Sequence, residues 1–312
     1  MRQPKLTLSD LLSLLSVLLF CLVCFLGAYF FTLGNTSQSL IVTLIIAVSL
    51  SGTAFGAKIL KRTNSKFITC FVFEMIFLVL FTVLFIFFSY RSFPHFFVVS
   101  GQRAEIKEKL TISITQAENM FAKYEEYAQN RENLYKDNLR KVVAAKRTNP
   151  SDYATFGFVN NSVHDTIQIE NKMFTVHSDL FPTNYEEMQK AGSKWLVNAQ
   201  STLNSWWAWN FGVVNIVNNM ETSSNKWLKT LTELSSIREQ GEKAIDFSYS
   251  LSFDDVKKHF TTHGEPTMLS IGLAIGAYLI ILLTYFVSER SSKSPICKNK
   301  RNRNKPDFVI DI

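Results

Sequence analysis

The chain has 312 residues, a formal net charge of +7 and 47% hydrophobic residues, of which 27 are phenylalanine. The apolar residues are concentrated in three long runs, which excludes an ordinary soluble domain that buries its apolar side chains in one core. The basic residues are also clustered. The positive balance therefore does not require a nucleic-acid partner, and we predict none.

The first apolar run predicts two membrane-spanning helices. No charged residue lies between Leu11 and Ala57. A bilayer core about 30 Å thick needs roughly 20 apolar residues for each crossing, so this run is long enough for two. A polar, turn-forming segment at 34–38 divides it. We therefore predict helices at about 11–33 and 39–60.

Two further spans are predicted, at about 67–90 and 267–287. Glu74 is the one charge in the run from 67 to 90, and the run from 266 to 288 has none. Backbone polar groups in lipid must pair within the segment, so each run must be helical. Pro94 is predicted to end the third helix, because proline cannot continue the hydrogen-bond ladder. Three spans thus occupy residues 1–91, and the fourth occupies 266–288.

The charge distribution predicts the orientation. Residues 101–265 hold 19 Lys and Arg against 21 Asp and Glu. Outside this segment basic residues dominate, and they flank span one, the loop between spans two and three, and the C-terminal tail; Arg91 is the one basic residue on the opposite flank. Short loops rich in Lys and Arg stay cytoplasmic. We expect both termini inside, residues about 92–265 outside, and 289–312 as a basic cytoplasmic tail.

The segment between spans three and four is predicted to be mostly helical. From 103 to 147 apolar residues repeat every seven, although Arg131 and Asn138 interrupt the stripe. The stripe fits a helix packed within its own domain, which is the favoured reading, or an intermolecular coiled coil. Alternating residues at 166–170 and 173–177 predict a short β-hairpin. The fold class is therefore an all-α membrane protein: four transmembrane helices and an extracytoplasmic helical bundle or coiled-coil domain, with a small β-hairpin insert.

Cysteine usage bears on the compartment. The cysteines are at 21, 24, 70 and 297, and the outer segment has none. Such a domain is held by its core alone, without disulfide bonds. An exported domain of this kind favours a bacterial periplasm, so we expect a multi-pass protein of the bacterial inner membrane.

Two intramembrane polar residues are candidates for function. Glu74 lies about 12 Å into the bilayer, because eight helical residues separate it from Lys66. A buried carboxylate is costly unless it is protonated or paired, so it indicates either an ion site or a structural hydrogen bond between helices. Lys58, near the same cytoplasmic level on span two, is expected to extend toward it.

Small and aromatic residues suggest interfaces. Gly52 and Gly56 in span two, and Gly272 and Gly276 in span four, form G-x-x-x-G pairs that let helices approach closely. They indicate packing within one chain, an oligomer seam or a pore lining. Three tryptophans cannot share one helix face, so at least one is expected to leave the core for a partner or the bilayer surface. These are Trp206, Trp207 and Trp209.

No catalytic signature is present. His259 and His263 have a ligand-like spacing, but the glutamate of an H-E-x-x-H motif is missing. We therefore predict no catalytic residue, no metal and no cofactor.

The sequence favours a non-enzymatic membrane protein. It would act as a sensor, scaffold or subunit of a membrane complex that engages a protein partner through the outer domain. A homo-oligomer is a further expectation. The alternative is a pore-forming or membrane-permeabilising effector assembled through the glycine seams: a channel, a toxin or a phage-defence component.

Overall fold

A computed structural model describes residues 7–63, 67–160, 164–203, 205–243 and 245–290, with the side chains of residues 67, 200, 202, 206 and 207 excepted. Within these ranges every regular element is an α-helix. The chain divides into two compact units. One comprises the described residues up to Arg103 and from His259 onward, and the other is Ala104–Lys258. The second unit is therefore shorter at both ends than the outer domain expected from the sequence, 92–265.

Four helices of the first unit are long and apolar enough to cross a membrane. They are α1 (Leu8–Phe31), α2 (Thr36–Arg62), α3 (Phe67–Gly101) and α10 (Met268–Val287). Many of their leucine, isoleucine and valine side chains are exposed, as expected where lipid is the solvent. These features indicate a helical membrane protein.

Aromatic side chains hold this bundle together. Phe20 of α1 stacks on Phe85 and on Phe93 of α3, with both pairs of ring centroids 4.8 Å apart. Ile46 and Leu50 of α2 and Ile281 of α10 complete the core around them. Offset-stacked rings add about 0.5–1.5 kcal/mol each beyond their buried area, so these two pairs stabilise the α1–α3 contact.

The predicted end of the third span at Pro94 is wrong. Helix α3 continues through Pro94 to Gly101. Proline is tolerated inside such a helix, because neighbouring helices and side chains can satisfy the carbonyl that it leaves free. Phe93 and Val99 on either side are buried, and this packing favours continuation over termination.

The second unit is a helical domain built on α4 (Arg103–Ala144). Around it are α5 (Pro150–Thr155), α6 (Asp165–Leu180), α7 (Tyr185–Thr202), α8 (Trp206–Ser236) and the start of α9 (Asp254–Thr261). Most of the seven-residue stripe of α4 is buried, including Leu110, Ala117, Tyr124, Ala128 and Tyr135. The stripe thus packs inside its own domain. The sequence favoured this interpretation over an intermolecular coiled coil.

The predicted β-hairpin is wrong, because residues 166–177 lie within helix α6. Val176 and Leu180 are buried, and Ile169 and Met173 pack against the same core. These four positions have helical spacing and face α4 and its neighbours. Polar residues lie between these apolar positions, and the resulting alternation resembles the two-residue pattern of a β-strand.

Candidate functional site

The charged residues and histidines of the membrane bundle lie toward its two ends. At one end, the cations of α2 and the residues after α10 meet the carboxylates of α1 and α3. This basic end is defined by Asp10, Lys58, Lys61, Glu74 and Arg290.

Glu74 of α3 is fully buried, and its partners come from the other end of the chain. The hydroxyl of Tyr285 donates a hydrogen bond to Glu74 Oε1 at 2.5 Å. Arg290 Nη2 donates to the same oxygen at 2.8 Å. Charge-assisted hydrogen bonds of this kind are roughly twice as strong as neutral ones, so they offset much of the cost of burying the carboxylate. They also tie α3 to the end of α10.

The sequence suggested that Lys58 extends toward Glu74. In the structure Lys58 instead pairs with Asp10 of α1. Asp10 also accepts hydrogen bonds from the backbone and hydroxyl of Thr7, at 3.2 and 2.9 Å. Thr7 and Asp10 form a capping box at the start of α1, and sequence analysis missed this pair. The capping-box spacing three residues apart was the available signal.

Lys61 completes the basic end by holding α10. Its Nζ donates to the carbonyl oxygen of Tyr285 at 2.7 Å and lies 4.4 Å from the centre of that ring. A cation at the last turn of a helix also interacts favourably with the helix dipole. Lys58, Lys61 and Arg290 thus each bind one neighbouring helix, and chemically the basic end acts as a clamp on all four helices.

The glycines predicted for close packing mostly face open space. A Cβ atom built on Gly52, Gly272 or Gly276 meets nothing within 4 Å, and one built on Gly56 meets the Phe77 ring at 2.9 Å. The closest helix approach lies elsewhere.

That approach is at Gly27 of α1, which sequence analysis did not single out. A Cβ on Gly27 would lie 2.0 Å from the carbonyl oxygen of Ser92 in α3. Gly27 has no glycine partner at the G-x-x-x-G spacing, so the motif could not reveal it.

Of the three tryptophans, the side chain of Trp209 alone is described. It is 1% exposed and belongs to the core of its domain. The side chains of Trp206 and Trp207, which the same prediction names, lie outside the described part of the structure.

A second polar group lies at the other end of the bundle, near Arg91, His95 and His263. The rings of His95 and His263 are 5.0 Å apart, and His263 stacks on Phe31 at 4.4 Å. His95 Nε2 bonds the carbonyl oxygen of Phe260 at 2.7 Å. Partial burial, together with the positive charge of Arg91, lowers the pKa of His263. His263 is therefore neutral near pH 7, and Arg91 carries the positive charge of this group.

His259 and His263 do not share a helix face, because α9 ends at Thr261. His259 Nδ1 instead faces the side-chain oxygen of Gln102 at 3.3 Å. Within the described ranges, no group of three or more His, Cys, Asp or Glu side chains has the geometry of a metal site.

In the second unit, the residue that interrupts the α4 stripe forms a buried ion pair. Arg131 Nε and Nη2 donate to the two carboxylate oxygens of Glu242 at 2.6 and 2.9 Å, and Nη1 donates to the carbonyl oxygen of Ser235 at 2.7 Å. The two charged side chains are 5% and 3% exposed. Burial alone lowers the pKa of Arg131, but hydrogen bonds from its guanidinium to Glu242 and Tyr127 raise it above its ordinary value. The guanidinium therefore stays charged and fixes the 235–242 loop against α4.

A cleft of about 200 Å³ lies beside this ion pair. Leu134 and Ile245 line it, and their side chains are 53% and 80% exposed. Other large apolar side chains of the domain are also exposed, among them Val159 and Phe174, but they do not line this cleft. We call the pair that lines it the Leu134–Ile245 patch.

No protein family, curated protein or solved structure matches the chain.

Proposed function

We propose that the protein is a non-enzymatic, multi-pass component of a bacterial inner membrane, whose helical domain of residues 104–258 engages a protein partner outside the cytoplasm. The pairing at the basic end carries this proposal. Each described carboxylate within a span, Asp10 and Glu74, meets a cation of the same chain. A side chain held in this way ties helices together and is poorly suited to bind or relay a transported ion.

The basic end also supports the proposed orientation. Lys58, Lys61 and Arg290 come from distant parts of the chain and lie at one end of the bundle. Basic flanks remain on the cytoplasmic side during insertion. That end is accordingly proposed to be cytoplasmic, with both termini inside and the helical domain in the periplasm.

Reporter fusions test the orientation. Alkaline phosphatase fused after residue 200 should be active, because the enzyme folds only outside the cytoplasm, whereas fusions after Lys66 or Arg290 should be inactive. The measurement is phosphatase activity per amount of fusion protein. Activity at Lys66 and none at residue 200 would reverse the topology and refute the proposal.

The Leu134–Ile245 patch is the proposed partner surface, and photocrosslinking tests it. A benzophenone amino acid at Leu134 or Ile245 should give one discrete adduct in intact cells. Phe174 is the matched control, because it is also apolar and 73% exposed but does not line the cleft. The assignment would be contradicted if neither Leu134 nor Ile245 gave an adduct. It would also be contradicted if Leu134, Ile245 and Phe174 all gave the same adduct.

The pore remains the rival function, favoured by the open faces at Gly52, Gly272 and Gly276 and by Glu74 Oε2, which has no hydrogen-bond partner in the structure. On the scaffold proposal, overproduction should leave the membrane potential unchanged, and Glu74→Gln should do so too. A potential-sensitive dye in expressing cells measures this. The pore would be favoured if the wild type depolarised the membrane rapidly and Glu74→Gln, present at the same protein level, did not.

A further inference from the structure

The bundle has an apolar groove between α3 and α10, and the proposed orientation places this groove in the outer leaflet. Its volume is about 530 Å³, and Phe85, Ile86, Ile271 and Ile275 are among its lining residues. At the end of the groove farthest from Arg91 along α3, the hydroxyls of Thr82 and Tyr278 are bonded to each other at 3.0 Å. This bond satisfies both hydroxyls. The hydroxyl of Ser89, which also lines the groove, has no hydrogen-bond partner among the described residues, and the rest of the groove is mostly apolar.

The groove matches the depth of one lipid leaflet. Nine residues of α3 separate Thr82 from Arg91, which corresponds to about 14 Å at 1.5 Å per residue. Half of a hydrocarbon core about 30 Å thick is about 15 Å. An acyl chain in the groove would therefore cover about the depth of one leaflet and end near the level of Arg91.

A second cavity, of about 340 Å³, adjoins the upper end of the groove, since Tyr90 and Pro266 line both. Arg91 and Glu265 line this head cavity. Neither side chain has a hydrogen bond or ion pair with any described residue, including the other. Two opposite charges thus face one cavity without neutralising each other.

His95 adds a third polar group. It lines the same cavity and is 2% exposed, and its Nδ1 atom is buried without a hydrogen-bond partner. His95 Nε2 donates its hydrogen to the carbonyl oxygen of Phe260, so Nδ1 of the neutral ring is an acceptor. A buried polar atom costs about 1–3 kcal/mol unless a partner satisfies it, so an N–H donor of a headgroup in the cavity would relieve that cost.

We propose that this groove and head cavity bind one phospholipid whose headgroup carries a phosphate and a primary ammonium group. The phosphate lies at Arg91, which presents a planar set of N–H donors, and the ammonium lies at Glu265. A purely anionic headgroup would meet the repulsion of Glu265. A quaternary ammonium has no N–H to donate to the carboxylate. The chemistry therefore selects phosphatidylethanolamine over phosphatidylglycerol and phosphatidylcholine.

Native mass spectrometry of the full-length protein in detergent tests the proposal, using these three lipids with identical oleoyl chains. The wild type should bind one phosphatidylethanolamine in preference to the other two. Arg91→Gln should weaken that binding roughly tenfold, the value of one charge-assisted hydrogen bond. Glu265→Gln should abolish the preference over phosphatidylglycerol. Ile275→Trp, at an exposed position that lines the groove, should weaken all three by obstructing the acyl chain.

Arg62→Gln is the matched control, because it removes an exposed arginine at the opposite end of the bundle and should leave binding unchanged. Equal binding by Arg91→Gln and Arg62→Gln would overturn the proposal. So would equal affinity of the wild type for all three lipids. Displacement of the lipid by millimolar inorganic phosphate would also overturn it, since that result identifies a free-anion site. Circular dichroism of each variant establishes that the fold is retained.

Discussion

Replacing Arg131 by methionine should lower the free energy of unfolding of the helical domain by about 3–5 kcal/mol, the usual cost of removing one partner from a buried ion pair. The substitution leaves the Glu242 carboxylate, 3% exposed, without its two guanidinium donors. It also leaves the carbonyl oxygen of Ser235 without the donor at 2.7 Å. The measurement is urea unfolding of residues 100–262, followed by circular dichroism.

Two variants separate this effect from a general loss of packing. Arg131→Met combined with Glu242→Leu should recover most of the stability, because an apolar pair of similar volume removes the uncompensated charge. Lys190→Met breaks an exposed pair with Glu186, with side chains 76% and 77% exposed. It should cost at most about 0.5 kcal/mol. A double variant no more stable than Arg131→Met alone would contradict the explanation.

Gly27→Ala should strongly reduce the amount of folded protein in the membrane. The added methyl carbon would overlap the carbonyl oxygen of Ser92, at 2.0 Å. The backbone of α1 fixes the position of this carbon, and the oxygen is itself a backbone atom, so neither can rotate away. Separating α1 from α3 would also disturb the stacking of Phe20 on Phe85 and Phe93. Overpacking of this kind costs about 1–3 kcal/mol or more. Membrane abundance and the thermal unfolding midpoint in detergent measure it.

Gly52→Ala and Gly276→Ala are the matched controls, since a methyl group at either position meets nothing within 4 Å. In a helix, alanine is favoured over glycine by about 1 kcal/mol, so both variants should be as abundant as the wild type or more so. Equal loss of abundance in all three variants would show that close approach at Gly27 is not the cause. If Gly52→Leu changes the oligomeric state of a folded protein, that face is an interface between copies.

The sequence predicted the spans well, because the composition of a membrane helix is set by its solvent and not by its neighbours. It also predicted the buried stripe of α4, whose residues repeat along one helix. The errors at Pro94 and in α6 arose where local preference was overridden by packing with residues distant in the chain.

The candidate sites were less predictable for the same reason. Glu74 stood out as an acid in an apolar run, but its partners, Tyr285 and Arg290, lie more than 200 residues later. Lys58 was assigned to the wrong carboxylate, because spacing along two helices does not specify which faces meet. Arg131 looked like a defect in a repeat, and its role depended on a glutamate 111 residues away.

The Glu74–Arg290 pair imposes an order on biosynthesis. The two residues are 216 positions apart, and at roughly 5–20 residues per second a ribosome needs on the order of 10–40 s to pass from one to the other. During that interval α3 enters the bilayer with a carboxyl group that has neither of its final partners. A charged carboxylate at the centre of a span costs about 2.5–3.5 kcal/mol during insertion. Until the fourth span and Arg290 arrive, the nascent helix therefore lacks the contacts that offset this cost. Membrane integration of this protein is in effect completed by its last helix.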